Sequence, residues 1–191
     1  MARPKAFDPD ATLTRAAELF RCHGYEATSM QDLVDTLGLS RSSIYDTFGN
    51  KRELYLQALQ RYRDAAAKQH TLVLANDAPA MHRLEQMLHA IAADAVADAH
   101  GCLVANAAME VGALDADVER SVRAGLEGVT RLFAELLRTA QSEGDLAADR
   151  DPQALAHFLT AAMQGIRVMA KANAGRDALQ ATVDGALAAL R

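Results

Sequence analysis

The chain has 191 residues, of which 50% are hydrophobic, 24% charged and 5% aromatic, with no Trp; this is the balance of a globular protein built as one body or as a small domain plus a larger one. No stretch approaches the roughly 18 consecutive apolar residues of a membrane span, and Met1-Ala-Arg-Pro-Lys5 has no apolar signal core, so no membrane partner and a cytoplasmic location are expected. The net charge of −5 is unevenly spread, +1 over residues 1–68 and −6 over residues 69–191, so global charge neither supports nor excludes a nucleic-acid partner.

β-Branched residues nowhere alternate with polar ones, and the pattern predicts an all-α fold of about nine helices. Helix 1 is expected from about Asp10 to His23, with Leu13, Ala16, Ala17 and Phe20 on one stripe and Gly24 as its C-terminal cap. Helix 2 is expected to open at Thr28, where Thr28-Ser-Met-Gln31 reads as a capping box, and to turn Met30, Leu33, Val34 and Leu37 inward before Gly38. Helix 3 opens at Ser40 and is anchored by Ile44 and Phe48; helix 4 opens at Asn50, with Glu53 three residues on, and runs towards Lys68. Helices 2 and 3 are joined only by Leu37-Gly38-Leu39-Ser40, the spacing of a helix-turn-helix whose second helix is the recognition element.

His70 to Ala80 reads as a weakly patterned link. Five further helices are expected over about 79–98, 102–112, 115–142, 151–173 and 176–190, with Asp151-Pro152 as a capped start. The last two are rich in Ala, Leu and Met on more than one face, which fits burial by the bundle and by a second subunit. The expected organisation is a helix-turn-helix domain at 1–50, completed by a connecting helix at 51–68, and a C-terminal effector-binding and dimerisation domain at 69–191.

Gly24-Tyr-Glu-Ala-Thr-Ser-Met-Gln-Asp-Leu33 followed by Gly38-Leu-Ser-Arg-Ser-Ser-Ile-Tyr-Asp-Thr-Phe-Gly-Asn-Lys-Arg-Glu-Leu54 closely resembles the N-terminal signature of the TetR/AcrR family of repressors. The match is dense over about residues 10–60; Gly101-Cys-Leu-Val-Ala-Asn106, Glu110 and Gln164-Gly-Ile-Arg167 resemble one branch of that family more loosely. Asp46 departs from the pattern, since many members carry His there. The resemblance implies a homodimer that holds two recognition helices over a palindromic double-stranded operator, and a ligand pocket in the C-terminal domain whose occupancy releases the DNA.

Helix N-termini carry unpaired N–H groups and partial positive charge that suit phosphate. Thr28 and Lys51 are therefore candidate phosphate contacts, and Tyr45 is a third; the bland alternatives are a cap, a solvated charge and a core-edge aromatic. Arg41, Ser42 and Ser43, at the start of helix 3, are candidates for base edges in the major groove. Arg3 and Lys5 are either a minor-groove arm or a disordered tail.

For sensing, Cys102 follows Gly101 at the expected start of a helix, where the dipole favours a thiolate open to oxidants and electrophiles such as hypochlorite or quinones. Lys171 would lower its pKa further if the penultimate helix crosses nearby; the alternative is a buried cysteine that only packs. The rival mechanism is reversible binding of an apolar or amphipathic molecule. Met87, Met109, Phe133 and Met163 are its candidate lining and Asn106, Gln164 and Arg167 its polar anchors, although core packing or a Glu110–Arg167 ion pair also accounts for these residues. No phosphate loop, nucleophile elbow or metal-binding helix pattern is present, so neither cofactor nor metal is expected and a helical-bundle enzyme is the weak alternative. A transcriptional activator of the same fold is the nearer one.

Overall fold

The helices form where the apolar spacing and caps place them. The structure, a computed structural model, describes residues 7–98 and 100–191; Arg3 and Lys5 lie outside the described residues. Its elements are α1 (Pro9–His23), α2 (Met30–Leu37), α3 (Arg41–Phe48), α4 (Lys51–Leu74), α5 (Ala80–Ala97), α6 (Leu103–Glu110), α7 (Ala116–Glu143), α8 (Pro152–Lys171) and α9 (Arg176–Ala188). Helices are thus the only regular elements among the described residues, as the periodicity requires.

Two boundaries differ from the sequence expectation for a physical reason that the structure shows, and the other helix ends lie within two residues of it. α4 continues through 69–74, so the link shrinks to residues 75–79. Gln69 to Leu74 contains no helix breaker, and the buried Arg83 donates from Nη1 to the carbonyls of Val73 (3.2 Å) and Leu74 (3.0 Å), satisfying two of the last acceptors of α4. α2 is capped by Ser29, not Thr28: Ser29 Oγ accepts from Asp32 N at 3.1 Å and Asp32 Oδ2 accepts from Ser29 N at 2.7 Å. The capping box is therefore shifted by one residue, because Thr28 turns inward and is fully buried, its hydroxyl donating to Gly24 O at 2.6 Å.

The chain forms two compact units, one of residues up to Ala66 with Leu103–Arg123, the other of Ala67–Cys102 with Ala124–Arg191. The first unit is discontinuous in sequence. In that unit Ala16, Phe20, Leu33, Ile44, Leu54 and Leu59 are fully buried. Phe20 and Tyr55 meet edge to face with ring centroids 4.9 Å apart, and Tyr25 lies 4.7 Å from Tyr55. The second unit packs α5, α8, α9 and the later turns of α7 around Leu84, Leu88, Phe133, Leu136, Ile166 and Val183. Its core holds one polar pair, Thr130 Oγ1 and Thr160 Oγ1 at 2.9 Å, each also within hydrogen-bond reach of the carbonyl four residues back.

Candidate nucleic-acid interface

The first unit holds the helix-turn-helix. Gly38 ends α2 in the left-handed region (φ 69°, ψ 28°), a conformation that a side chain disfavours, and lets the chain enter α3 after two residues. Arg15 of α1 donates to the carbonyls of Thr36 and Leu37, so α1 itself closes the end of α2. α3 is fixed at both ends. Ser40 accepts from Ser43 N at 3.1 Å, and Gln57 of α4 donates to Phe48 O at 2.8 Å. Ile44 (0% exposed) and Phe48 (4%) face the core, as expected of packing residues.

The opposite face of α3 presents Arg41, Ser42, Tyr45 and Asp46, all exposed, with Tyr45 46% open. Ser43 is half-buried, and its Oγ lies 2.8 Å from Ser40 Oγ, so its side chain belongs to the cap. Thr28, fully buried and bonded to Gly24, does not offer its hydroxyl at the surface; the exposed hydroxyl at the start of α2 is that of Ser29. Its partner Asp32 is held below the usual carboxylate range by the Ser29 hydrogen bonds.

Lys51 stands in the first turn of α4, behind a capping box in which Asn50 N donates to Glu53 Oε2 (2.8 Å) and Glu53 N to Asn50 Oδ1 (3.0 Å). Its ammonium lies 4.4 Å from the centroid of the Tyr25 ring and 3.4 Å from Glu26 O. The next residue, Arg52, donates from Nε to Asp115 Oδ2 (2.5 Å) and from Nη2 to Asp115 Oδ1 (2.8 Å) and Asp117 Oδ2 (2.5 Å). Hydrogen bonding from Arg52 holds the Asp115 carboxyl down to about 2. Asp115 also accepts from the N–H groups of Asp117 and Val118, which makes it the cap of α7.

The sensing candidates divide between the units. In the first, Asn106 Nδ2 donates to Arg21 O at 3.1 Å and Met109 is 79% exposed. The two oxygens of Glu110 accept from Tyr25 N (2.9 Å) and Glu26 N (2.7 Å), a use of the carboxylate that sequence spacing did not suggest. In the second, Cys102 immediately precedes α6 and is 4% exposed, whereas Lys171 is exposed in the last turn of α8. Met163 (2% exposed) and Phe133 (0%) are core residues, and Met87 packs, partly buried, against that core. Gln164 Oε1 is buried without a partner. Arg167 is half-buried, and burial, with its positive charge nearby, pushes the His70 imidazole down. The Arg52–Asp115–Asp117 group was missed in sequence; Asp115-Ala-Asp117 reads there only as a helix start.

Residues 13–58 match the model of bacterial regulatory proteins of the tetR family, and residues 80–186 match the tetracyclin repressor-like C-terminal domain. The chain is 34% identical over 203 residues to the uncharacterized HTH-type transcriptional regulator YezE of Bacillus subtilis (strain 168), covering 100% of both. It is 32% identical over 183 residues to the HTH-type transcriptional repressor ComR of Escherichia coli (strain K12), covering 93% of this chain and 86% of ComR. Among solved structures, a cysteine mutant of the TetR family transcriptional regulator CifR, complexed with 26bp double-strand operator DNA, superposes with a TM-score of 0.87 at 33% identity over 100% of both chains. The reduced form of Escherichia coli NemR shares the fold, with a TM-score of 0.82 at 21% identity over 97% of this chain and 96% of that one.

Proposed function

The chain belongs to the TetR family of bacterial regulatory proteins, and on that premise we propose that it is a homodimeric transcriptional repressor that binds a palindromic operator in the cytoplasm and performs no catalysis. The observation that carries the reading is the exposed face of α3. It offers Arg41, Ser42 and Tyr45 from a helix whose other face and both ends are fixed. Arg41 and Ser42 read base edges, Tyr45 and Lys51 contact phosphate, and Ser29 and the α2 backbone take the place first given to Thr28. Ser43 supports the cap of the recognition helix. Residues 1–50 with α4 as far as residue 68 carry DNA binding, and 69–191 carry the effector site and the dimer contact. The dimer contact is supported by the stripe of exposed Ala154, Phe158, Ala161 and Val168, with half-buried Gly165 among them, on α8, in which Phe158 is 45% and Val168 50% open.

Repression ends when an effector binds reversibly in the second unit, with Gln164 and Arg167 as its polar anchors. The unpartnered Gln164 oxygen favours this reading over modification of Cys102, whose thiol is buried. The test selects genomic fragments retained by the protein and measures binding to the recovered palindrome against a scrambled duplex, with transcription from the linked promoter in vitro. Equal affinity for both duplexes refutes the operator reading; raised transcription makes the protein an activator. Release by hypochlorite, quinones or aldehydes that Cys102→Ser abolishes refutes the reversible pocket and establishes the thiol.

A further inference from the structure

Glu110 is spent on backbone. Its carboxylate accepts from the N–H groups of two consecutive residues, Tyr25 and Glu26, in the turn between α1 and α2. Hydrogen bonds to an ionised acceptor are shorter and stronger than neutral ones, so a pair of them fixes the turn firmly. Gly24 makes the approach feasible: its φ is +87°, and a Cβ there would sit 2.9 Å from Glu110 Oε2. The same two residues are what Lys51 touches, the ammonium lying over the Tyr25 ring and 3.4 Å from Glu26 O. Carboxylate and ammonium thus grip one short stretch of chain, the first by its N–H groups and the second by a carbonyl and a ring.

We infer that Glu110 is a positioning residue for DNA binding: from α6 it fixes the α1–α2 turn, and through that turn it holds the Lys51 ammonium ready for phosphate. Lysine has many rotamers, and a cation already confined loses less freedom on meeting its phosphate. Arg52, the neighbouring cation, is committed to Asp115 and Asp117, which leaves Lys51 as the cation of that first turn that the turn residues alone restrain. The inference rests on the reading of the chain as a DNA-binding regulator.

Charge alone predicts the opposite effect. Removing an acidic group from the unit that binds a polyanion should tighten binding, whereas losing a positioning residue loosens it. The experiment uses the full-length dimer, the palindrome recovered from genomic DNA, and fluorescence anisotropy over a salt series, with E110Q, K51A and the double variant. E110Q is expected to weaken binding by roughly three- to ten-fold, the loss of one charge-assisted hydrogen bond. The double variant is expected to bind no more weakly than K51A alone, because Glu110 acts through Lys51. In E110Q the amide protons of Tyr25 and Glu26 shift upfield in NMR spectra of the labelled chain. If E110Q folds poorly, E110D keeps the charge, withdraws it by one methylene and enters the same cycle. Binding by the single variant that equals or exceeds wild type overturns the inference, as do losses that multiply in the double variant or a K51A variant that binds like wild type. A wild-type chain that retains no specific duplex overturns the regulator reading as well.

Discussion

Asp115→Asn separates the two roles of a single carboxylate. Asp115 caps α7 through the N–H groups of Asp117 (2.9 Å) and Val118 (3.3 Å), and it pairs with Arg52 through two hydrogen bonds. Asn is as good a cap as Asp, so the substitution keeps the first role and removes the charge behind the second. A carboxyl held at about 2 against an ordinary 3.8 represents at most about 2.4 kcal/mol of stability. The Arg52 side chain is 42% exposed and the Asp115 side chain 15%, so solvent screens the pair and about 1 kcal/mol is the expected share. Asp115→Ala removes the cap too and should cost about 2 kcal/mol in all. The sign of the pH dependence follows from a lowered folded-state value: the stabilisation is complete above the unfolded value near 3.8 and disappears as pH falls through about 2. Urea denaturation at fixed protein concentration, from pH 7 to pH 2, should therefore show wild type and Asp115→Asn converging below pH 4. A stability gap that stays constant down to pH 2 refutes the ionic assignment, and an Asp115→Asn variant as unstable as Asp115→Ala refutes the separation of roles.

Lys51→Ala should reduce the slope of log affinity against log salt by about 0.9 per phosphate, or nearly 2 for a dimer with one such lysine per protomer, while leaving the preference for the palindrome over a scrambled duplex nearly unchanged. Gly24→Ala should destabilise the protein by about 1–3 kcal/mol in urea, because φ +87° with ψ 167° is a glycine region; Gly128→Ala, within α7 and with open space around a Cβ, should stabilise it by about 0.5–1 kcal/mol. Thr160→Val and Thr130→Val should each cost about 1 kcal/mol, and the double variant little more than one of them, since the two hydroxyls share a single mutual hydrogen bond; fully additive losses in thermal denaturation would contradict that sharing.

What the sequence made legible is local. Gly24, Gly38, Ser40, Asn50 and Asp151 punctuate helices through neighbours within four residues, and the structure places those helix ends within a residue or two of the expected positions. Thr28 against Ser29 shows the resolution of such reasoning. Both are good caps, and the choice was made by which hydroxyl the core could bury against Gly24 O, a tertiary fact. Glu110, Asp115 and Asp117 were illegible for another reason. Their partners lie 85, 63 and 65 residues away, and nothing in a periodic pattern says that α6 and the start of α7 return to the first sixty residues.

That return also changes the electrostatic argument. Counted by sequence, residues 1–68 are net +1, which made the DNA-binding half look set apart from an acidic remainder. Counted by packing, the unit of residues 1–66 and 103–123 carries eleven Lys and Arg against thirteen Asp and Glu, a net of −2. A unit with that balance binds a polyanion only if its acids are turned to other tasks. Glu110 is taken up by backbone N–H groups, Asp115 and Asp117 by Arg52, Glu119 by Arg123, and Asp32 by the cap of α2, whereas Arg41 and Lys51 stand at the start of α3 and in the first turn of α4. Most of these acids are bound to fixed backbone or to a cation, so their fields are partly cancelled before a phosphate approaches. The sign that matters to DNA is therefore set by where each acid finds its partner, and the net charge of neither the chain nor the unit reports it.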